Sequence, residues 1–444
     1  MRFCFRHALT FFALLGSALG SFAEQRLVRV SDGRVVGQTQ EGLADAFVAE
    51  RPADMLTALT NGARVVEQRQ VFADALAIPL HDAGVKTVFP WTGDADELWA
   101  ARALGVKYVR TDRPEVAQAL LESFRSREMR PVRADEFRVR DPFVLADPVT
   151  HRYYLYETTP PYFGPAYGRG VSVRTSDDLK TWSPAKRVMR VNVPWQARTV
   201  WAPEVHLYRG RYWMFATLTQ YPSAETKIAA IYSDKKHWAP EQHRAGHRGV
   251  WAYVADSPEG PFVPVADQPL TPPDWLCLDG TLVVDEGRPY LVFCHEWVQT
   301  KVGRMDVAPL ADDLTRLTEA PKVLFDALAG PGANCVTDGP FVHRSRSGKL
   351  FLIWSKFVPN NGYSVIQTES ASGRVTGPWT DQRVIYGKNG GHAMVLRTFE
   401  GALKLVLHGP ERRGWEHLRV LDLEDTGDGL VVRDENLIKE GENQ

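Results

Sequence analysis

The sequence carries almost no net charge. Across its 444 residues, 53 lysines and arginines stand against 54 aspartates and glutamates, and no long basic run interrupts this balance. A protein that binds nucleic acid or an anionic membrane needs clustered positive charge to neutralise phosphate groups. We therefore expect neither nucleic acid nor an anionic membrane surface as a main partner.

Motifs of several common enzyme chemistries are also missing. The chain has no glycine-rich phosphate loop followed by Lys and Ser or Thr, no Cys-x-x-Cys pair and no His-Glu-x-x-His helix. Its serines and histidines lack the surroundings of a nucleophile elbow. These absences argue against nucleotide binding by a phosphate loop, dithiol redox chemistry and zinc-dependent or serine-dependent hydrolysis.

Long apolar runs are scarce, and the clearest one lies at the N-terminus. It extends from Ala8 to Leu19 behind a basic start, and Ser21-Phe22-Ala23 follows it. The run is too short for a membrane span, whereas the layout is typical of a secretory signal. We predict that residues 1–23 form a signal peptide cleaved after Ala23, which makes the protein secreted or periplasmic, with no membrane span.

Cysteine is rare as well, with four in the chain. Cleavage after the signal would leave Cys277, Cys294 and Cys335. Three thiols cannot all pair within one chain, so at least one stays free unless two chains dimerise. Buried thiols and a single disulfide both fit the sequence, since an oxidising compartment permits the disulfide. The oligomeric state stays open.

From residue 138 onwards the chain repeats one unit five times. Each copy begins with a small or acidic residue at the start of a strand, continues into a strand rich in Tyr, Trp, Phe and Leu, and closes on a polar tail. A period of roughly 50 to 75 residues with several short strands in each unit is typical of a radial array of small sheets. The copies start at Asp141-Pro142-Phe143, Trp201-Ala202-Pro203-Glu204, Leu278-Asp279-Gly280, Thr337-Asp338-Gly339 and Gly391-His392-Ala393.

The sequence thus predicts a mainly β protein, with a five-bladed β-propeller over residues 138–444. In a propeller, the first strand of every blade lines a central channel, so equivalent residues from distant parts of the chain converge there. The residues expected to meet around one funnel are Asp141, Glu204, Asp279, Asp338 and His392.

Residues 24–125 do not follow this repeat. Strand patterns at 85–92 and 106–112 alternate with helical patterns at 95–104 and from Pro114 onwards. Such alternation favours parallel strands joined by helices, so we predict a small α/β domain resembling part of a TIM barrel. The charged stretch at 126–137 is predicted to be an irregular linker.

This N-terminal piece resembles the C-terminal half of a glycerophosphodiester phosphodiesterase barrel. The resemblance rests on Ala83-Gly84-Val85, Trp91-Thr92, Leu104-Gly105-Val106 and Thr111-Asp112-Arg113-Pro114. The family's His-Arg-Gly start and its metal-binding acids belong to the half that has no counterpart here, and too few units remain to close an eight-stranded barrel. We interpret it as an inactive accessory domain.

A funnel ringed by acids and aromatic side chains in an exported protein suggests glycoside hydrolysis. Cleavage of a sugar acetal needs one carboxylic acid to protonate the leaving oxygen and one carboxylate to act at the anomeric centre or to activate water. A separation of about 6.5 to 9.5 Å between the two groups leaves room for that water and gives inversion. Different blades of a propeller can hold two such groups rigidly apart.

Residues from about 138 to 430 resemble glycoside hydrolase family 43, the five-bladed arabinosidases and xylosidases. The matching motifs are Arg140-Asp141-Pro142-Phe143, Trp201-Ala202-Pro203-Glu204, Leu278-Asp279-Gly280-Thr281, Thr337-Asp338-Gly339-Pro340-Phe341 and Gly391-His392. The resemblance implies an inverting hydrolase of arabinofuranoside- or xyloside-type oligo- or polysaccharides. It further implies that Asp141 is the general base and that Asp279 orients the general acid and raises its pKa.

The general acid is where this chain departs from the family pattern. The family has a glutamate in the fourth motif, and this chain has Asp338, one methylene shorter. We predict Asp338 as the acid and keep Glu296 as the alternative. For substrate binding we predict Trp201, Glu204, Glu296 and His392. For Glu204, bracing of the channel is the other option.

By the same resemblance, no cofactor is required for catalysis and no catalytic metal is expected. Several family members place a histidine near bound Ca²⁺ or ordered water, so a structural Ca²⁺ near His392 is one option and an ordinary hydrogen-bonded histidine is the other. Two other functions stay open. The shortened acid fits a propeller that binds glycans without cutting them, and a relative that acts on fructosides would carry Asn-Asp-Pro where this chain has Arg140-Asp141-Pro142.

Overall fold

The computed structural model describes residues 26–29, 35–36, 47–49, 65–68, 86–91, 93–103, 106–158, 170–190, 199–220, 247–412 and 415–433. The predicted signal peptide and its cleavage site lie outside these ranges. No helix within them is both long enough and apolar enough to cross a bilayer.

A six-stranded sheet forms the N-terminal part. Its strands are β1 (Arg26–Arg29), β2 (Val35–Val36), β3 (Phe47–Ala49), β4 (Val65–Gln68), β5 (Lys86–Pro90) and β6 (Tyr108–Thr111), in the order β2-β1-β6-β5-β4-β3. Strands β3 to β6 are parallel, as predicted, whereas β1 and β2 extend the β6 edge in antiparallel fashion. The connection from β5 to β6 contains helix α1 (Ala95–Ala103).

Helix α2 (Pro114–Glu128) follows β6 and begins with a proline, whose fixed φ suits the first helical turn. The next segment is not the irregular linker that the sequence predicted. Strand β7 (Val132–Arg133) pairs with β11 (Thr181–Trp182), a short strand near the first blade, and a 3₁₀ turn at Ala134–Glu136 follows. The segment is therefore fixed to the propeller by backbone hydrogen bonds.

The rest of the described chain forms five antiparallel sheets of four strands each, one after another. Blade 1 has β8 (Phe143–Asp147), β9 (Arg152–Thr158), β10 (Gly170–Ser176) and β12 (Lys186–Arg190); blade 2 has β13 (Thr199–Tyr208), β14 (Arg211–Gln220), β15 (His247–Ala255) and β16 (Val263–Pro264). Blade 3 has β17 (Cys277–Asp285), β18 (Arg288–His295), β19 (Arg304–Pro309) and β20 (Lys322–Asp326), with helix α3 (Trp297–Thr300) after β18. Blade 4 has β21 (Asp338–Arg344), β22 (Leu350–Val358), β23 (Gly362–Ser370) and β24 (Trp379–Tyr386); blade 5 has β25 (Gly391–Arg397), β26 (Leu403–Gly409), β27 (His417–Asp425) and β28 (Leu430–Arg433).

The inner strands of the blades form a ring. In turn, β8 contacts β13, β13 contacts β17, β17 contacts β21, β21 contacts β25, and β25 contacts β8. The predicted five-bladed propeller is confirmed. Each blade is built from one continuous stretch of chain. Among the described strands, no sheet shared by blades 5 and 1 therefore closes the ring at the boundary between them, which we call the seam.

The seam is held instead by the segment that precedes β8. The Arg138 guanidinium donates to the Trp415 carbonyl at 3.0 Å, and the Val139 N–H donates to the Glu416 carbonyl at 3.2 Å. Further along, the Asp141 N–H donates to His408 Nδ1 at 3.2 Å. Residues 138–141 therefore run along blade 5 before the chain enters blade 1.

Each blade has one residue in the left-handed backbone region within a few residues of the start of its inner strand. These residues are Asp141 (φ 50°), Ala202 (φ 43°), Asp279 (φ 56°), Gly339 (φ 51°) and His392 (φ 52°). In blades 2 to 5 the strand register shifts at this point, which marks a β-bulge. Bulges re-aim side chains, and positive φ in a non-glycine residue is a strain that concentrates at functional sites. The bulges near the start of the inner strands thus direct side chains into the channel.

The bulges also show which residues are equivalent from blade to blade. Glu204 lies two residues after the equivalent position of blade 2, which Ala202 occupies, and Asp338 lies one residue before Gly339. The sequence prediction, which aligned all five copies on their polar residues, was therefore out of register in these two blades.

Aromatic side chains fill the space between the blades, with Trp182 and Trp354 among the fully buried ones. Of all the Phe, Tyr and Trp side chains whose exposure the structure describes, Phe357 alone is exposed, at 39%. The three cysteines of the propeller are free thiols, with Cys277 and Cys294 buried and Cys335 half-buried. Of the two options that the sequence left open, the structure has the thiols.

Candidate active site

Three aspartates from different blades converge at the channel, with a histidine from a fourth blade between two of them. His392 Nδ1 lies 3.3 Å from Asp141 Oδ1 and 3.9 Å from Asp279 Oδ2. The Gly339 N–H donates to Asp279 Oδ2 at 2.9 Å, which brings the adjacent Asp338 to the same place. The structure thus joins four of the five residues expected in the funnel.

Asp141 is surrounded by nitrogen atoms. Its carboxylate lies 3.3 Å from His392 Nδ1, 3.4 Å from His408 Nδ1 and 3.6 Å from Arg140 Nε. Burial by itself would raise the pKa of Asp141, but attraction to His392, Arg140 and His408 outweighs burial, so the pKa lies below its usual range. Asp141 is therefore ionised at neutral pH.

His392 itself is a neutral group at that pH. Burial, above all, lowers its pKa to about 4, against the opposing attraction of Asp141, and Arg140 adds to the lowering. Its backbone N–H donates to Ser355 Oγ at 2.8 Å, which fixes the bulge of blade 5 to blade 4. Because His392 is uncharged, the lasting positive charge beside Asp141 is that of Arg140.

Arg140 is held in place by two further carboxylates. Its Nη1 donates to both oxygens of Glu411, at 3.0 and 2.9 Å, and to Glu416 Oε1 at 2.9 Å. Glu411 Oε2 also lies 2.6 Å from His408 Nε2. Since His408 Nδ1 accepts from the Asp141 N–H, Nε2 carries the ring proton and donates it to Glu411. Asp141 is thus supported by a closed network.

Asp338 is held by a tyrosine from the third strand of its own blade. The Tyr363 hydroxyl donates to Asp338 Oδ2 at 3.0 Å. Burial raises the pKa of Asp338 to about 7, assisted by Glu296 and Asp141 and opposed by the Tyr363 hydrogen bond and by Arg140. Asp338 therefore keeps a proton over much of the pH range in which Asp141 is ionised.

Asp279 is buried, and its own N–H donates to Thr217 Oγ1 at 2.9 Å. Burial raises its pKa well above the usual range, and Asp338 and then Asp141 add to this rise. Carboxyl groups this close cannot all ionise together. At neutral pH the site holds at least one proton on the Asp279 and Asp338 pair.

Glu296, the alternative acid, is buried at the start of α3 and pairs with Arg248 Nη1. Burial raises its pKa against the attraction of Arg248. The Arg248 guanidinium also lies over the Trp201 ring, 4.5 Å from its centroid. Two predicted substrate-binding residues, Trp201 and Glu296, are therefore joined through one arginine, and Glu296 is near enough to raise the pKa of Asp338.

Glu204 makes contacts within blade 2 and between blades 2 and 3. Its carboxylate lies 3.0 Å from His206 Nε2 and bonds to the Thr281 side chain, so it links the inner strands of blades 2 and 3. The bulge explains this outcome, because it places Ala202 rather than Glu204 at the position equivalent to the aspartates. Its predicted role in binding substrate has no contact with the three aspartates to support it.

Four site residues were not predicted: Arg140, Tyr363, His408 and Glu411. Arg140 directly precedes Asp141, and His408 ends the second strand of the fifth copy, so both had a local signal in the repeat. Tyr363 and Glu411 come from a third strand and a turn, where no repeated motif marks them. In the part of the chain that the structure describes, no group of three or more His, Cys, Asp or Glu is arranged to hold a metal ion, and a Ca²⁺ near His392 stays a prediction.

A known protein family matches the propeller. The family model for glycosyl hydrolases family 43 matches residues 131–424, which is more than half of the chain. This chain belongs to glycosyl hydrolases family 43. The match excludes most of the N-terminal part, so the resemblance of residues 24–125 to glycerophosphodiester phosphodiesterases stays a prediction.

Several relatives of this family 43 protein are named as an arabinase, an arabinanase or an arabinofuranosidase. A solved endo-arabinase from Bacteroides thetaiotaomicron is 33% identical, with a TM-score of 0.55, and the match covers 66% of this chain and 96% of that one. The extracellular endo-α-(1→5)-L-arabinanase 1 of Bacillus subtilis is 21% identical over 225 residues, covering 48% of this chain and 61% of that protein. An α-L-arabinofuranosidase from Lactobacillus brevis, 17% identical with a TM-score of 0.50 and covering 68% of this chain and 97% of that one, shares the fold.

Proposed function

We propose that this family 43 glycosidase is an exported, inverting hydrolase of arabinofuranoside-type glycans. In this proposal Asp141 is the general base, Asp338 is the general acid and Asp279 holds the acid in place. The observation that carries it is the contrast between two carboxyl groups of one site. Asp141 lies among Arg140, His392 and His408, which lower its pKa, whereas buried Asp338 bonds to Tyr363 and has its pKa raised to about 7. Such a pair assigns base and acid roles at one working pH.

The reaction follows from these protonation states. Ionised Asp141 takes a proton from a water molecule, which attacks the anomeric carbon. Protonated Asp338 gives its proton to the glycosidic oxygen as that bond breaks, and the products leave with inverted configuration. Asp141 and Asp338 then recover their starting states by proton exchange with solvent.

Asp279 supports the acid through the backbone. It accepts the N–H of Gly339, the residue after Asp338, so it fixes the bend from which the Asp338 side chain projects. Its raised pKa keeps it from adding a second full negative charge beside the anomeric centre, where the transition state needs one ionised base and one protonated acid.

The substrate class rests on the endo-arabinase that is 33% identical over nearly its whole length. Arabinofuranosides come first, and xylosides second. Export rests on the predicted signal peptide, and residues 24–125 are proposed to be an inactive accessory domain. Catalysis is preferred over simple glycan binding because Asp338 has both a raised pKa and a fixed geometry.

The test is hydrolysis of a panel of substrates by the wild type and by Asp141→Asn. The panel contains α-1,5-arabinan, β-1,4-xylan and β-1,3-galactan with their aryl glycosides, and Asp313→Asn, an exposed turn residue, is the matched control. Cleavage of one glycan, lost about 10²- to 10⁴-fold in Asp141→Asn and kept in the control, is expected. The anomer first released, read by NMR, should be inverted. No cleavage of any glycan would favour the binding protein, and a retained anomer would refute the mechanism.

A further inference from the structure

The single exposed aromatic side chain among those described lies one ring away from the proposed acid. Phe357 on β22 is directly opposite Tyr363 on β23, and their ring centroids are 5.1 Å apart. Tyr363 in turn donates to Asp338. Directly opposite residues of antiparallel strands project from the same face of the sheet. Phe357 is therefore the exposed ring of an aromatic pair whose buried member, Tyr363, contacts Asp338.

The neighbouring residue confirms this orientation. Lys356 projects to the other face of the sheet, where its Nζ donates to the Ala327 carbonyl at 2.6 Å. Ser355, two residues before Phe357, bonds to the backbone of His392 in blade 5. Phe357 thus shares the face that is turned towards blade 5 and the site.

The turn that follows Phe357 and leads into β23 is fixed to blade 5. The Asn389 N–H donates to the Asn361 carbonyl at 2.9 Å, and the Gly390 N–H donates to the Tyr363 carbonyl at 2.8 Å. The Glu411 N–H donates to the Asn389 carbonyl at 2.7 Å, which ties the same segment to the network around Arg140. An exposed ring on a rigid support loses little conformational entropy when it binds a ligand.

We propose that Phe357 is a stacking platform for a sugar ring on the leaving-group side of the cleaved bond. This inference rests on the proposed function, because the sugar attached to the oxygen that Asp338 protonates must lie next to Asp338. A sugar ring presents an apolar face of C–H groups, and an exposed aromatic ring offers a surface that removes that face from water. The ligand class is an oligosaccharide with at least one sugar beyond the scissile bond.

The experiment compares two substrates of the sugar that the wild type releases. One is the linear oligosaccharide and the other is the glycosyl fluoride, which has no leaving-group sugar. Phe357→Ala should lower kcat/KM for the oligosaccharide about tenfold and leave that for the fluoride within about twofold. Phe357→Trp should keep both, and Val263→Ala, an exposed apolar residue on outer strand β16, should change neither.

Equal losses on both substrates, or no loss on either, would overturn the platform. If the wild type cleaves no glycan, the proposed function fails, and the platform is then tested by calorimetric titration of α-1,5-arabino-oligosaccharide. Binding that weakens about tenfold in Phe357→Ala would uphold the platform without catalysis. Equal binding, or none in the wild type, would refute it.

Discussion

Gly339 donates its backbone N–H to Asp279 Oδ2 at 2.9 Å, so blade 3 holds blade 4 at the residue beside the proposed acid. The bond requires the left-handed conformation of Gly339, at φ 51°. It also requires the absence of a side chain there, because a Cβ would lie 3.1 Å from the Cα of His392 and 2.9 Å from its ring.

We therefore expect Gly339→Ala to displace the bulge of blade 4 and to lower kcat at least about 100-fold, with a fall in Tm. The matched control is Gly348→Ala, which has φ 85° but no atom within 4 Å of the added Cβ. Thermal unfolding and kcat of both variants test the prediction. Equal effects in the two variants would show that backbone strain alone, and not the contact with His392, matters.

The Tyr363→Phe variant should shift the alkaline limb of the pH profile upwards. Asp338 must be protonated to act as the acid, so activity falls as the pH rises through its pKa of about 7. The hydroxyl of Tyr363 lowers that pKa by bonding to the carboxylate, and its removal raises the pKa. The kcat/KM profile is the measurement, with Tyr154→Phe, which loses a hydroxyl bonded to Thr150, as control. A limb that stays in place would contradict the role of Tyr363.

Arg140→Gln should shift the acidic limb of the kcat/KM pH profile to higher pH. Asp141 must be ionised to act as the base, so activity is lost as the pH falls through its depressed pKa. Loss of Arg140 raises that pKa, and the limb moves to higher pH. It also leaves Glu411 and Glu416 without their cation, at a cost of about 3–5 kcal/mol in stability.

Arg140→Lys separates these two effects, since lysine keeps the charge and loses the double hydrogen bond to Glu411. Its acidic limb should lie between those of the wild type and Arg140→Gln. If both variants have the wild-type limb, Arg140 has a structural role only.

The identity of the acid is tested by the leaving group. Asp338→Asn should lower kcat on the natural glycan about 10²- to 10⁴-fold and lose far less on a glycosyl fluoride, because fluoride departs without a proton. Glu296→Gln, which keeps a partner for Arg248, should lower both rates by similar factors. The reverse pattern would transfer the role of acid to Glu296.

The same Asp338→Asn variant has a consequence for stability. The native carboxyl keeps its proton up to about pH 7, whereas an unfolded aspartate releases it near pH 3.9. The wild-type native state therefore loses stability as the pH rises from about 4 to 7, whereas the Asp338→Asn variant lacks this contribution. The Tm of the variant relative to the wild type should rise by a few degrees between pH 4 and pH 8. A constant difference would show that Asp338 is ionised in the folded protein.

The sequence predicted the propeller and the positions of Asp141, Asp279, Asp338 and His392, because these residues lie in motifs that recur at the start of each blade. It aligned Glu204 out of register, since equivalence between blades is set by the bulge and not by the charge of a residue. Tyr363 and Glu411 could not be found in this way. Their sequence surroundings are those of an ordinary strand and turn. Strand pairing within blade 4 brings Tyr363 to Asp338, and the contact of residues 138–141 with blade 5 brings Glu411 to Arg140.

The seam of the propeller determines how activity is lost when the protein unfolds. The segment that bridges blades 5 and 1 also contains Arg140 and Asp141, so the contacts that close the ring include the proposed base and the arginine that positions it. When the two blades separate, Asp141 loses its supporting network at the same moment, even though every blade keeps its internal hydrogen bonds. Inactivation by heat or denaturant is then expected to precede the loss of β structure. A tight-binding inhibitor that contacts Asp141 should stabilise the closed ring against separation of blades 5 and 1.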